Sequence, residues 1–158
     1  MTWTTFHRRG EVLRTVIDAA DARRDGVLPM DLPGVPETFG DELTLLGALQ
    51  LRWHTRLSGH LEQALMLQPL NPDETAIAAW HATVDELPGT RLVLDRYRTE
   101  PLDDRMASAL ATATAKEHVL LAAMAGRAGA TTEATVAAGS ALEARARASH
   151  RPSAHAAA

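Results

Sequence analysis

Three polar side chains fall on the apolar faces of two helical segments, and these side chains are the best placed in the chain to do chemistry. A helix turns about 100° per residue, and this spacing puts Gln50 and His54 inside the leucine-rich stripe of residues 43–65. The same projection puts Glu117 at the centre of the apolar stripe of residues 106–124. Because an unpartnered buried carboxylate is unfavourable, Glu117 needs a partner or a proton. Metal and cofactor sites in helical bundles are built from such inward groups on facing helices.

Two interpretations of this arrangement are open. In the first, Glu117 forms a buried ion pair with His54 or Arg9, and the pair fixes the register of the helices. In the second, Glu117 and His54 bind a metal ion or a small molecule, and Gln50 or His81 lies nearby. A complete dimetal centre is not expected, since the chain contains no Glu-x-x-His sequence. The candidate ligand site is therefore Gln50, His54 and Glu117, of which the last two are the candidate metal ligands.

No familiar catalytic pattern accompanies these residues. The chain has no cysteine, which excludes a thiolate nucleophile, a disulfide framework and any cysteine-ligated metal. It contains no HExxH zinc motif and no GxxxxGK or GxGxxG phosphate loop. Ser58 and His60 are two residues apart on a helix, so their side chains diverge by roughly 200° and cannot act as nucleophile and base. The sequence therefore favours a protein that is not an enzyme.

Composition and charge narrow the class of protein further. The 158 residues, 46% of them apolar, are enough for one domain with its own core. A net charge of −4 leaves no basic surface for nucleic acid. Lys116 is the only lysine among 16 cationic residues, which together with the many alanines indicates a high-GC bacterium. The start of the chain does not resemble a secretory signal and no apolar run could span a bilayer, so the expected location is the cytoplasm, away from the membrane.

Prolines, glycines and capping residues divide the chain into six predicted helices. The clearest start is at Asn71, Pro72 and Glu74, which match an N-cap, a first-position proline and a capping box. No segment shows the alternating pattern of a strand. The predicted helices cover about 4–24, 36/41–68, 72–87, 90–98, 101–126 and 131–149. This pattern predicts an all-α, single-domain helical bundle over 1–149, with four main helices, a short helix and a weakly packed C-terminal helix, followed by a disordered tail over 150–158.

The expected function follows from this architecture. The sequence predicts a non-enzymatic cytoplasmic bundle that acts by protein–protein contact or by binding a small ligand, and whose role is regulatory. A protein partner or a second copy of the chain would dock on the alanine-rich C-terminal helix, and no cofactor is required. The alternative is a metal- or cofactor-binding bundle centred on His54 and Glu117, in general architecture like ferritin but without its Glu-x-x-His ligands. A nucleic-acid-associated regulator would need a basic helix face, which the sequence lacks.

Overall fold

The computed structural model describes residues 2–152 of the chain. Within that range it contains seven helices and no strand, which confirms the all-α helical bundle. None of the described helices is long and apolar enough to cross a membrane. The helices are α1 (Trp3–Arg23), α2 (Val35–Phe39), α3 (Glu42–Leu67), α4 (Pro72–Glu86), α5 (Pro88–Thr99), α6 (Asp104–Met124) and α7 (Thr132–Ser149).

The helix boundaries differ from the predicted ones in two informative places. The short helix α2 lies within a proline- and glycine-rich segment that predicts an irregular connection, and it begins after Gly34, whose φ is 84°. Gly26 follows the basic last turn of α1, and this pattern predicts Gly26 as the C-cap. The helix instead ends at Arg23, and its C-cap is Arg24, which adopts the left-handed conformation with φ 51°. The Arg24 amide donates to the carbonyl of Ala20, so this residue closes the helix in place of a glycine.

The chain forms two compact units, of which the first comprises Met1–Trp53 and Leu87–Ser108. In this unit α1 packs on α5 so closely that a Cβ on Gly89 would lie 2.2 Å from the carbonyl carbon of Ala20. Only glycine fits at such a backbone contact. Asp21 accepts a hydrogen bond of 2.8 Å from the Gly89 amide and so satisfies one of the free amides at the start of α5.

The core of the first unit is built from leucines of α3 and apolar residues of α1, α2 and α5. Trp53 is fully buried, and the guanidinium of Arg91 lies 4.5 Å from the centre of its ring, at the distance of a cation–π contact. The hydroxyl of Tyr97 accepts a hydrogen bond from the amide of Leu28 and fixes the connection after α1. The buried apolar residues of this unit are Val16, Ile17, Ala20, Leu28, Val35, Phe39, Leu45, Leu46, Leu49, Trp53, Leu87, Val93, Leu94, Tyr97 and Met106.

The second unit comprises His54–Glu86 and Ala109–Ala158, and α4 and α7 pack on each other within it. Trp80 of α4 is buried, and the guanidinium of Arg147 lies 5.2 Å from its ring centre. The buried apolar residues of this unit are Leu57, Leu61, Ala76, Ile77, Ala79, Trp80, Leu110, Leu121, Ala122, Ala125, Leu142 and Ala146.

The C-terminal helix α7 packs more tightly than the weak packing that its composition predicts. Gly139 faces α6, and a Cβ at this position would lie 1.8 Å from the carbonyl oxygen of His118. Leu142, Glu143 and Ala146 of the same face are buried. Glycine and alanine give α7 little apolar area of its own, but they allow its backbone to approach its neighbour closely. Close approach therefore replaces large side chains as the source of packing.

The predicted tail over 150–158 is described only as far as residue 152. His150 follows α7 and lies 3.0 Å from a carboxylate oxygen of Asp85 in α4. Residues 153–158 lie outside the described part of the chain.

Candidate functional site

Glu117 is 1% exposed and lies in the interior of α6. Its burial agrees with the helical projection, which puts it at the centre of the apolar stripe. The neighbouring His118 is buried too, although the projection directs it away from the core. The buried positions 117, 118, 121, 122 and 125 form a band too wide for a helix that is covered from one side only. A projection that assumes a single apolar stripe therefore finds Glu117 and misses His118.

Gln50 and His54 are less buried than the spacing predicts. Both are half-buried in the structure, and Gly47, the small residue above them, is exposed. The buried face of α3 instead contains Leu45 and Leu49. The buried stripe of α3 is therefore centred at a different angle around the helix from the one that the spacing predicts. The candidate site Gln50, His54 and Glu117 thus comprises two partly exposed side chains and one fully buried carboxylate.

The other two residues considered for this site have partners elsewhere. The guanidinium of Arg9 lies 3.4 Å from the carbonyl oxygen of Thr38 and 4.5 Å from the centre of the Phe39 ring, both within the first unit. In the second unit, Nε2 of His81 lies 2.8 Å from the carbonyl oxygen of Ala146. Arg9 and His81 therefore bind the backbone of neighbouring helices.

The described residues contain no group of three or more His, Asp and Glu side chains that could hold a metal ion. A site made of His54 and Glu117 would therefore have two protein ligands, whereas zinc sites use three or four. The metal or cofactor alternative stays a prediction, and no third ligand in the described chain supports it.

A buried ionic network that the sequence does not predict joins α6 to α7. Nε2 of His118 forms a hydrogen bond with Oε2 of Glu143, and both side chains are almost fully buried. The other oxygen of Glu143 accepts a hydrogen bond of 2.8 Å from Nε of Arg147, and Nη2 of the same guanidinium lies 2.6 Å from that oxygen in an ion pair. The i, i+4 spacing of Glu143 and Arg147 predicts their pairing, but only the fold brings His118 to them. These interactions connect α6 to α7 through buried charged groups, and we read the network as a clamp between the two helices.

A second histidine and a serine approach each other at the end of α7, but their geometry does not suit catalysis. Oγ of Ser149 lies 3.3 Å from Nε2 of His81. That nitrogen is closer to the carbonyl oxygen of Ala146, which can only accept, so it carries the proton. A protonated nitrogen cannot take the hydroxyl proton of Ser149. The pair therefore supports the structure of the α4–α7 contact.

Three large apolar side chains are exposed together where α3 ends. Met66, Leu67 and Leu70 are 84%, 75% and 90% exposed, and we call these residues the apolar cluster. Single exposed leucines are common, whereas three large apolar side chains exposed within five residues of the chain favour a contact surface.

Charged groups border the apolar cluster on the side of α4 and α7. Arg127 binds Asp73 through two hydrogen bonds of 2.9 and 2.7 Å, and Arg145 lies 3.1 Å from the same carboxylate. We call Asp73, Arg127 and Arg145 the ionic rim. One groove beside Leu70 is lined by Asp73 and Arg127, and a second groove is lined by all three rim residues and Ala141 of α7. The rim thus connects the apolar cluster to the C-terminal helix.

The rim changes the protonation of its carboxylate. Hydrogen bonds from Arg127, together with its positive charge and that of Arg145, lower the pKa of Asp73 below its ordinary value. Asp73 is therefore charged across the physiological range, and the rim presents two guanidinium groups on one carboxylate.

Comparison of the chain with protein-family models, with curated protein sequences and with solved structures found no match.

Proposed function

We propose that this protein is a non-enzymatic binding module and that it acts by contact with a partner protein in the cytoplasm. The observation that supports this proposal most directly is the apolar cluster Met66, Leu67 and Leu70 at the end of α3. A surface with an apolar centre and a charged border matches the anatomy of protein interfaces. The cysteine-free composition suits a reducing compartment.

The exposed face of α7 extends this surface and gives the partner a groove to occupy. Its outward residues include Ala134, Ala137, Ala141, Ala144 and Ala148, at alternating spacings of three and four residues. Small side chains at this spacing allow another helix to approach closely. The partner we propose is an amphipathic helix whose large apolar residues meet the apolar cluster and whose acidic and basic groups meet the ionic rim.

The test is recovery of the partner from the protein's own cells with matched surface variants. The double variant Leu67→Glu, Leu70→Glu places two charges in the apolar cluster. Leu51→Glu introduces a charge at another exposed leucine of α3, which lies in the first unit. We expect one protein to be recovered in near-equal amount with the wild-type chain and with Leu51→Glu, and at least about tenfold less with the double variant.

The recovered protein is then identified by mass spectrometry, purified and titrated against the purified chain. Direct binding that the double variant weakens by at least about tenfold, roughly 1.4 kcal/mol, supports the proposal. Equal binding by the double variant and the wild type refutes the proposed surface. Circular dichroism of each variant shows that the helices are intact.

The metal alternative is tested on the same material. We expect elemental analysis of protein purified without a histidine tag to show metal well below one equivalent, and its absorption spectrum to contain no visible band. One equivalent of metal that is lost in Glu117→Gln and in His54→Ala would instead establish the bundle as a metal protein and would refute the proposed binding module.

A further inference from the structure

One apolar stripe continues along α1 from the core to a part of the helix that nothing in the described chain covers. Its residues are spaced alternately by three and four, as in paired helices. The end of the stripe at Ile17 and Ala20 is buried in the first unit. At the other end Trp3 and Phe6 are 78% and 67% exposed. The stripe consists of Trp3, Phe6, Gly10, Leu13, Ile17 and Ala20.

The short helix α2 covers a different side of α1. Arg9 contacts Thr38 and Phe39 of α2, and it lies roughly 70° around the helix from the middle of the stripe. Trp3 and Phe6 contact His7 within their own helix, with ring centres 3.9 and 6.4 Å away. The uncovered part of the stripe is thus a face of α1 that its own unit leaves open.

Gly10 is half-buried and follows the exposed residues Trp3 and Phe6 on the stripe, and nothing in the described part of the chain explains why it is glycine. A Cβ at Gly10 would meet nothing within 4 Å, and its φ is not positive. Glycine is among the least favourable residues inside a helix, so alanine would serve α1 better. The missing side chain leaves a hollow on the stripe between Phe6 and Leu13. A hollow of this kind accepts a large side chain from outside.

We propose that α1 pairs in antiparallel fashion with α1 of a second copy of this chain, with Phe6 of each copy seated over Gly10 of the other. A twofold axis beside Arg8 places Phe6 opposite Gly10 and, in the same register, Trp3 opposite Leu13. Each of these two contacts occurs twice in the dimer, because the twofold axis relates one copy of the contact to the other. One stripe thus carries both the large residues and the hollow that receives them, which favours a second copy over an unrelated partner.

The charges on α1 allow this pairing. Arg8 points roughly 170° away from the middle of the stripe, so it faces solvent in the pair. The guanidinium of Arg9 is directed toward Thr38 and Phe39 of its own chain. The arginines nearest the axis therefore do not confront each other across the helix contact.

The expected dimer is weak. At 150–250 Å² for a buried aromatic side chain, the partly exposed rings of Trp3 and Phe6 in two copies supply roughly 400–800 Å², below the 1,200–2,000 Å² of stable interfaces. Dimerisation should therefore depend on concentration in the micromolar range. This inference rests on the first unit and is independent of the proposed partner surface in the second.

The test is sedimentation of the full chain over a wide range of concentrations. We expect the wild-type protein to dimerise, Phe6→Ala to raise the dissociation constant at least about tenfold, and Gly10→Leu to leave a monomer because leucine fills the hollow. Gly47→Leu is the matched control, since Gly47 is also a helical glycine with no atom within 4 Å of an added Cβ. We expect it to dimerise like the wild type. Neither glycine variant should unfold the protein, which circular dichroism checks.

Cysteine cross-linking tests the direction of the pair, because the chain has no cysteine of its own. A mixture of Trp3→Cys and Leu13→Cys chains, treated with a mild added oxidant that takes up the two electrons of each pair of thiols, should form a disulfide-linked heterodimer. Trp3→Cys alone should cross-link poorly, whereas a parallel pair would join it readily.

Three outcomes overturn the proposal. One is a protein that stays monomeric at every concentration. Another is a dimer that Phe6→Ala and Gly10→Leu leave unchanged. The third is a monomer whose Trp3 fluorescence shifts on vesicles of anionic lipid and not with protein concentration, which would assign the stripe to a membrane surface. A dimer that persists in Leu67→Glu, Leu70→Glu shows that the two proposed surfaces are separate.

Discussion

The substitution Gly139→Ala tests whether α7 is held against α6 by close backbone contact. An added Cβ would lie 1.8 Å from the carbonyl oxygen of His118 and 2.4 Å from its carbonyl carbon. Because these are backbone atoms, no rotamer change relieves the clash. The helix α7 must move outward by more than about 1 Å to reach ordinary van der Waals contact, which begins at 3.4 Å. This movement separates His118 from Glu143 and loosens the buried face of α7.

The size of the effect follows from two opposing contributions. Overpacking of a close-packed core costs about 1–3 kcal/mol, and here a rigid neighbour puts the cost at or above the upper end of that range. Alanine regains about 0.5–1 kcal/mol over glycine through its helix propensity. The expected net loss is therefore about 2 kcal/mol. At about 2–4 °C per kcal/mol for a chain of this size, the melting temperature should fall by about 4–8 °C.

The control is the same change at Gly59, a helical glycine of the same unit with nothing within 4 Å of an added Cβ. We expect Gly59→Ala to raise the melting temperature by about 1–4 °C through propensity alone. The assay is thermal unfolding followed by circular dichroism at 222 nm, with urea unfolding as a second measure. A Gly139→Ala protein as stable as the wild type or more stable would refute the close contact between α6 and α7.

Three further predictions concern hydrogen bonds and ion pairs. Asp21→Ala should destabilise the protein by about 1 kcal/mol in urea unfolding, because the Gly89 amide loses its hydrogen-bond acceptor. Asp21→Asn keeps an acceptor and should cost less. Equal losses in the two variants would contradict the role of Asp21 as acceptor for that amide. Glu143→Ala removes the partner of buried His118 and should cost about 3 kcal/mol, and a loss below about 1 kcal/mol in urea unfolding would show that the network is not a clamp. The pKa of Asp73 is lower in the folded protein than the ordinary carboxyl pKa of about 3.9, so its ion pairs stabilise the fold at any pH above that ordinary value. This stabilisation is lost as the pH falls through the pKa of Asp73 in the folded state. Asp73→Asn should therefore melt below the wild type at pH 7 and level with it near pH 2, and a gap that persists near pH 2 would contradict the ion pairs.

Local sequence signals were enough to place most helices. The predicted start at Asn71 and Pro72 agrees with α4, which begins at Pro72. The start near Pro101 is three residues early, because the side chain of Asp103 caps the helix by accepting from the amide of Met106. Capping and periodicity act over a few residues, so a single sequence reveals them. The helix α2 was missed since five residues are too few to show a period.

The polar interior depended on long-range packing, which the sequence does not display. Glu117 was found because its helix shows a clear apolar stripe, whereas His118 was missed because α6 is buried over a wider arc than that stripe. The pairing of His118 with Glu143 spans 25 residues and needs the close contact at Gly139. A glycine inside a helix was the available signal, since its helix propensity is poor and some other requirement must retain it. The exposure of Met66, Leu67 and Leu70 likewise depends on how the other helices pack, which the local sequence does not show.

The placement of the three tryptophans gives the protein a set of built-in optical probes. Trp53 is buried beneath Arg91 in the first unit and Trp80 beside Arg147 in the second, whereas Trp3 is exposed on the stripe of α1. Emission from a buried indole lies at shorter wavelength than emission from an indole in water, so variants that keep one tryptophan each would separate the three signals. Unfolding of each unit could then be followed by its own fluorescence, and association of α1 by a blue shift of Trp3 alone, without an attached dye.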